Sequence, residues 1–142
     1  MLITLYARAM VSRSRNPILA DSWAEEAVSR IDYDFESLHV GGLRACLVAI
    51  RAKQLDLWTT RFLMDRPDAT VLHLGCGLDS RVFRVDPPEG VRWFDVDYPE
   101  VIDMRRRLYP QRAGCRMVRA SLEQLDWLEV VPGGGSTFVA PR

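Results

Sequence analysis

The stretch Val71 to Arg84, VLHLGCGLDSRVFR, decides the fold. Its first four residues, Val71 to Leu74, form a short apolar run between Pro67 and a pair of glycines, the pattern of a strand buried on both faces of a parallel sheet. Gly75-Cys76-Gly77 stands where the chain must leave that strand, turn sharply and bring its backbone close to a ligand. Glycine permits both the unusual dihedrals and the close contact. A short helix is expected from about Asp79 to Val85, stopped by Pro87-Pro88, and Val91 to Val96 then supplies a second strand. Asp97 ends that strand 97 − 77 = 20 residues after Gly77. At that separation a carboxylate can accept hydrogen bonds from both hydroxyls of a bound ribose. Its alternative role is to cap the helix that starts at Pro99. The third glycine of a dinucleotide fingerprint is absent, because Ser80 stands three residues after Gly77, and this disfavours close packing around a pyrophosphate.

Outward from this centre, apolar residues at Leu43, Leu47, Ile50, Leu57, Trp58 and Phe62 recur at helical spacing and predict one long amphipathic helix from Leu43 to about Met64. Tyr98-Pro99-Glu100 has the stereochemistry of a helix start, with proline and glutamate suited to the first turn, and the helix should run to about Tyr109. Arg116 to Arg119 is a third strand. Ser121-Leu122-Glu123-Gln124 has capping-box spacing and predicts a short helix over Leu122 to Leu128. Pro132 and Gly133, Gly134 and Gly135 form a loop, and Thr137 to Ala140 begins a fourth strand. Strands alternating with helices through right-handed crossovers make a doubly wound α/β sheet, Rossmann-like, with its ligand site at the carboxyl ends of the first two strands. The expected organisation is a helical segment over 1–66 followed by the first part of a cofactor-binding sheet over 67–142.

Composition narrows the function. The chain has 142 residues, 48% hydrophobic and 27% charged, with 19 basic and 19 acidic side chains and a formal net charge of zero. No global field is available to hold nucleic acid or an anionic membrane. No apolar run approaches the roughly 18 residues of a membrane span, and the first residues lack the apolar core of a secretory signal, so a cytoplasmic address is expected. Cys46, Cys76 and Cys115 are widely spaced and form no C-x-x-C pair, which predicts reduced thiols and no zinc site. Arg105-Arg106-Arg107 reads as a solvated helix face. His73, two residues before Gly75, reads as a hydrogen-bonded core histidine, Asp95 as a structural residue on the side of its strand opposite Asp97, and Cys76 as a contributor of backbone whose thiol is incidental.

With Val71 to Arg84, three further segments carry a resemblance: WFDVDYPEVIDMRRRLYP, Trp93 to Pro110; LYARAMVSRSRNPILAD, Leu5 to Asp21; and RIDYDF, Arg30 to Phe35. The chain resembles the leucine carboxyl methyltransferase family, especially its bacterial polyketide O-methyltransferase branch of the tetracenomycin type. The resemblance implies a class I methyltransferase fold, S-adenosylmethionine as cofactor and a small-molecule methyl acceptor. It places Gly75 and Gly77 against the cofactor, Asp97 on its ribose, Arg51 on its carboxylate, Ser121 and Leu122 beside its adenine, and Arg8 as a further basic contact. Family members of eukaryotic origin have Asp where this chain has Ser121. No catalytic base is identified.

Class I methyltransferases have seven strands, and the chain has room for about four. Where the family's fourth strand continues into A-E-G-L, the chain reads Val139-Ala140-Pro141-Arg142. The expectation is therefore the amino-terminal portion of the fold, with an open sheet edge, low solubility and a possible partner chain covering that edge. Two other functions fit the glycine turn and the ribose aspartate: a nicotinamide-dependent oxidoreductase, and an inactive remnant or small nucleotide-binding module.

Overall fold

The computed structural model describes residues 1–131, 133 and 135–141. Two helices, α1 (Leu2–Ser12) and α2 (Ser22–Arg30), and a 3-10 turn over Phe35–Leu38 precede the long helix α3 (Gly42–Met64). There follow β1 (Thr70–Leu74), α4 (Arg81–Val85), β2 (Arg92–Asp97), α5 (Pro99–Leu108), β3 (Cys115–Arg119), a second 3-10 turn over Leu125–Val130, and β4 (Thr137–Pro141). The four strands are parallel in the order β3-β2-β1-β4. The expected doubly wound sheet is thus present, with each predicted strand in place to within a residue or so. The expected loop residues Pro132 and Gly134, and the terminal Arg142, lie outside the described residues.

The first strand is buried on both faces because alternate side chains serve two cores. Val71 packs with Trp93, Val82 and Leu63 on one side of the sheet. Leu72 packs with Phe94, Val96 and Trp127 on the other. His73 and Asp95 continue the Val71 and Trp93 face, so two polar side chains enter the core beneath the helices. A third cluster joins α1, α2 and the end of α5 through Leu5, Ala9, Ala24, Ala27, Leu108 and Tyr109.

Two expectations need correction. The short helix expected over Leu122 to Leu128 is a 3-10 helix of 6 residues, Leu125–Val130, so it starts later than the capping-box spacing implied. The Ser121 hydroxyl accepts the Glu123 N–H at 3.3 Å, so it closes a local turn one residue short of the capping-box partner. The second correction concerns α3, whose extent matches but most of whose large apolar residues point outward, Phe62 alone of those expected inside packing against the core. Leu43 is 78% exposed, and Leu47, Ile50, Leu57 and Trp58 are exposed as well. The buried face is made of Ala45, Ala49, Ala52, Thr59 and Leu63. Its upper part sits against Ala7 and Val11 of α1. Small side chains on both surfaces let the two helix axes approach closely, since the interaxial distance follows the size of the contacting residues.

This orientation predicts opposite responses from neighbouring positions on one helix. Ala49→Leu should overpack the α1–α3 contact and lower stability by about 1–3 kcal/mol. Leu47→Ala should change it by less than about 0.5 kcal/mol. Urea unfolding of both variants checks the orientation, and the reverse order of effects would contradict it.

Candidate functional site

The turn after β1 is built on two left-handed glycines, Gly75 with φ 61° and Gly77 with φ 53°. Between them Cys76 is fully buried, and its N–H donates to Val96 O of the neighbouring strand at 3.2 Å. Gly77 N–H donates to Asp97 Oδ2 at 2.7 Å, and Tyr98 N–H donates to Asp97 Oδ1 at 2.8 Å. The carboxylate that ends β2 is thereby locked to the turn that ends β1. Asp97 does not cap α5, whose cap residue is Tyr98 with no side-chain cap bond.

The carbonyls of the turn are held from behind. Arg105 Nη1 donates to Gly77 O at 2.9 Å and to Asp79 O at 2.7 Å. Leu78 O accepts from Arg8 Nη2 at 2.7 Å and from the Tyr109 hydroxyl at 2.9 Å. With three successive carbonyls engaged by α1, by α5 and by the residue after α5, the turn has little freedom to flip.

These anchors belong to a charge network balanced at four arginines and four aspartates. Arg8 pairs with Asp21 at 3.0 Å. Arg84 reaches Asp21 at 2.8 Å, Asp56 at 2.7 Å and Asp79 at 2.9 Å. Arg81 holds Asp79 at 3.1 Å, and Arg105 is paired with Asp95. Asp95 also accepts from His73 Nδ1 at 2.8 Å and from Trp93 Nε1 at 2.9 Å. Because an ionised carboxylate only accepts, the His73 proton sits on Nδ1. Burial opposes ionisation of Asp95, but the Arg105 guanidinium and the His73 and Trp93 donors outweigh it and hold the carboxyl below its usual range. Burial likewise opposes the charge on Asp79, which Arg84, Arg8 and Arg81 keep ionised. His73 goes the other way: its complete burial lowers its pKa despite the Asp95 hydrogen bond, so it is a neutral core residue. Burial pushes Tyr109 up to about 12 and raises the Cys76 thiol, leaving both protonated.

The structural roles expected of His73, Asp95 and Cys76 agree with this arrangement. Asp95 and Asp97, however, are two residues apart in β2 and lie on the same face of the strand rather than on opposite faces. The solvated position expected of Arg105 is also wrong. Arg106 and Arg107 are exposed, whereas Arg105 is completely buried and central to the network. The physical reason lies in helical spacing. Ile102, Arg105 and Leu108 fall three apart on the buried face of α5, and Asp95 supplies the countercharge there. That spacing was visible in the sequence; the partner was not. The contributions of Tyr109, Asp79, Arg84 and Asp21 had no comparable sequence signal.

Two openings flank the turn. One, of about 290 Å³, is lined by Met1, Gly75, Asp97, Tyr98, Val101, Ala120 and Leu122. The other is narrow, about 20 Å³, and lies between α1, α3 and the turn, with Arg8, Arg51 and Gly77 among its lining residues. Gly75, Asp97 and Leu122 therefore share the first opening, while Gly77 and Arg51 line the second. Ser121 lines neither. Arg51 is exposed and makes no hydrogen bond or ion pair among the described residues. Arg8 is already engaged by Asp21 and Leu78 O. Ser80, where a dinucleotide fingerprint would have glycine, is buried and donates its hydroxyl to Asp21, so its side chain belongs to the network.

The network dictates a pH dependence. A histidine whose folded pKa lies below its unfolded value of about 6.5 costs stability as pH falls below that value, with a slope of at most about 1.4 kcal/mol per pH unit. The depressed carboxylates Asp79 and Asp95 contribute their stability above an unfolded value of about 3.9 and lose it only as pH falls below that value, through their folded pKa. Unfolding free energy should accordingly decline between pH 7 and 5.5. His73→Gln, less stable at pH 7, should lose less over the same interval. Equal slopes for the two proteins would assign the dependence to another group.

The model of the leucine carboxyl methyltransferase family matches residues 1–134. The tetracenomycin polyketide synthesis O-methyltransferase TcmP of Streptomyces glaucescens is 52% identical over 132 residues, covering 93% of this chain and 49% of the relative. The S-adenosyl-L-methionine-dependent methyltransferase dpfgK of Gibberella zeae is 37% identical over 141 residues, covering 90% and 47%. A putative S-adenosyl-L-methionine-dependent methyltransferase of Mycobacterium ulcerans is 30% identical over 154 residues, covering 91% and 48%. The chain spans about half the length of these curated relatives and belongs to the leucine carboxyl methyltransferase family.

Proposed function

We propose that this leucine carboxyl methyltransferase family member binds S-adenosylmethionine at the Gly75–Gly77 turn and serves methyl transfer to an oxygen of a small molecule. The observation that carries the reading is the state of Asp97. Each of its carboxylate oxygens accepts one backbone N–H, from Gly77 or Tyr98, while the side chain still lines the 290 Å³ opening. An ionised carboxylate has about four acceptor positions. Two remain for the hydroxyls of a ribose, and the opening approaches the size range of ligand pockets, roughly 300–1,000 Å³. Leu122, Val101 and Ala120 provide an apolar wall suited to an adenine. Arg51, unpaired at the second opening, suits a carboxylate through its planar fork. Ser121 is assigned only its local turn.

When bound, the cofactor supplies an electrophilic methyl group on a sulfonium. The residues of this chain bind and orient it: Asp97 fixes the sugar, the glycine turn admits close approach, and the buried network prevents the turn from shifting. A general base is needed only for a hydroxyl acceptor, not for an ionised carboxylate; none is assigned. Segments 1–66 and 67–142 act in this reading as helical cover and cofactor sheet. Additional polypeptide, in the same chain or a partner, would complete the acceptor side along the open edge of β4, where Val139 is half exposed. No helix among the described residues is long and apolar enough to cross a membrane. A cytoplasmic setting belongs to this reading, in keeping with three free cysteines.

Calorimetric titration with S-adenosylhomocysteine tests the reading. Saturable binding is expected, weakened at least tenfold in Asp97→Ala and Asp97→Asn, with no binding of NAD. Folded protein that binds NAD instead would establish the oxidoreductase alternative. Folded protein that binds neither would overturn the reading for this chain while leaving its family membership intact.

A further inference from the structure

We propose that the cleft between the end of α5 and the start of β3 is a second binding site, for a small organic anion: a carboxylate or phosphate ester on an apolar or aromatic body. The cleft measures about 400 Å³ and is lined by Val82, Phe83, Arg106, Arg112, Arg116 and Met117. It lies at the amino ends of the strands, whereas the glycine turn lies at their carboxyl ends, so the two sites are separate and this inference does not rest on the methyl-transfer reading.

Charge is the first argument. From Met104 to Arg119 the chain carries six arginines and no acidic residue, in a protein whose formal net charge is zero. Arg105 is neutralised internally by Asp95. The basic end of α5 is not explained by its helix dipole, since Arg30 of α2 already donates to the terminal carbonyls of Arg107 and Leu108. Of the three guanidinium groups at the cleft, only Arg112 has a close carboxylate, Asp86 at 2.7 Å, with a second bond to Pro87 O at 3.1 Å. Those bonds fix it in place. Arg106 has Asp103 no nearer than 3.8 Å, and both side chains are about half exposed. Arg116 is exposed and has no hydrogen bond or ion pair among the described residues.

Shape and surface are the second argument. Three cations around one concavity favour an anion, and two planar forks without close partners can each grip it bidentately. Beside the arginines the lining has one polar side chain, Gln111, and an apolar part made of Val82, Phe83, Pro110 and Met117 together with the Cys115 thiol. Burial pushes that thiol well up, with Asp95 adding to the effect, so it stays neutral. An inorganic anion would leave this floor uncovered, and a hydrophobic molecule without charge would leave the arginines unmatched. An organic anion satisfies both.

The test is an amide NMR titration of the chain with 2-naphthoate, using pyrophosphate as the charge-only probe. The wild-type protein should show saturable shifts at Phe83, Cys115, Arg116 and Met117. The double variant Arg106→Ala/Arg116→Ala should bind at least tenfold more weakly, while Arg107→Ala, an exposed arginine outside the cleft, should bind as the wild type does. Pyrophosphate should bind more weakly than naphthoate. A well-dispersed spectrum certifies the fold of each variant, and Arg106→Gln/Arg116→Gln replaces the alanine pair if that pair unfolds. Naphthoate shifts that do not saturate or that fall elsewhere, undiminished binding by the double variant, or tighter binding of pyrophosphate would each overturn the proposal.

Discussion

The guanidinium of Arg105 is the point on which the rest of the molecule turns. It is wholly buried, paired to Asp95 in the middle of β2, and bonded to two carbonyls of the turn that leaves β1. One side chain thus joins a helix, a strand and the glycine turn. Removing one member of a buried pair typically costs about 3–5 kcal/mol, because the survivor is left charged without a partner. That exceeds what most single apolar contacts contribute, and it acts in one place.

The consequences spread through the network. Asp95 collects donors from His73, Trp93 and Arg105, which fixes the relative height of β1, β2 and α5. Asp21 both caps α2, accepting from Ala24 N–H, and receives Arg8, Arg84 and Ser80. The amino-terminal helices are therefore tied to the glycine turn by charge as well as by apolar packing. Four positive and four negative side chains share this region, so the charge they carry into the core is balanced. A rigid turn in front of a balanced network is what a site needs if it is to meet a polar ligand without rearranging.

The sheet and the glycine turn at its carboxyl end were legible in the sequence because their signals are local. A short apolar run, two glycines, a carboxylate at the end of the next strand and proline at a helix start each act within a few residues. The pairing of Gly77 with Asp97 was legible at the level of position, though the sequence did not indicate that the turn's own N–H would occupy the carboxylate. The burial of Arg105 was not read correctly, because its neighbours Arg106 and Arg107 are solvated and the run looked uniform. The orientation of α3 was missed for a related reason: size, not hydrophobicity, decides which face meets α1, so Ala45, Ala49 and Ala52 went inward while Leu43 and Leu47 went outward. Nonlocal partnerships such as Asp21 with Arg84 leave no trace in spacing.

Hydrogen exchange at the Gly77 amide in wild-type protein and in Arg105→Lys tests the central claim most directly. Lysine keeps the charge but cannot serve Asp95, Gly77 O and Asp79 O together with a planar fork. The account predicts that Gly77 exchange becomes at least tenfold faster in the variant, about 1.4 kcal/mol of local opening, relative to the amide of Leu72 in β1. Unchanged protection of Gly77 in a folded Arg105→Lys protein would show that the turn holds its shape without Arg105, and would contradict the account.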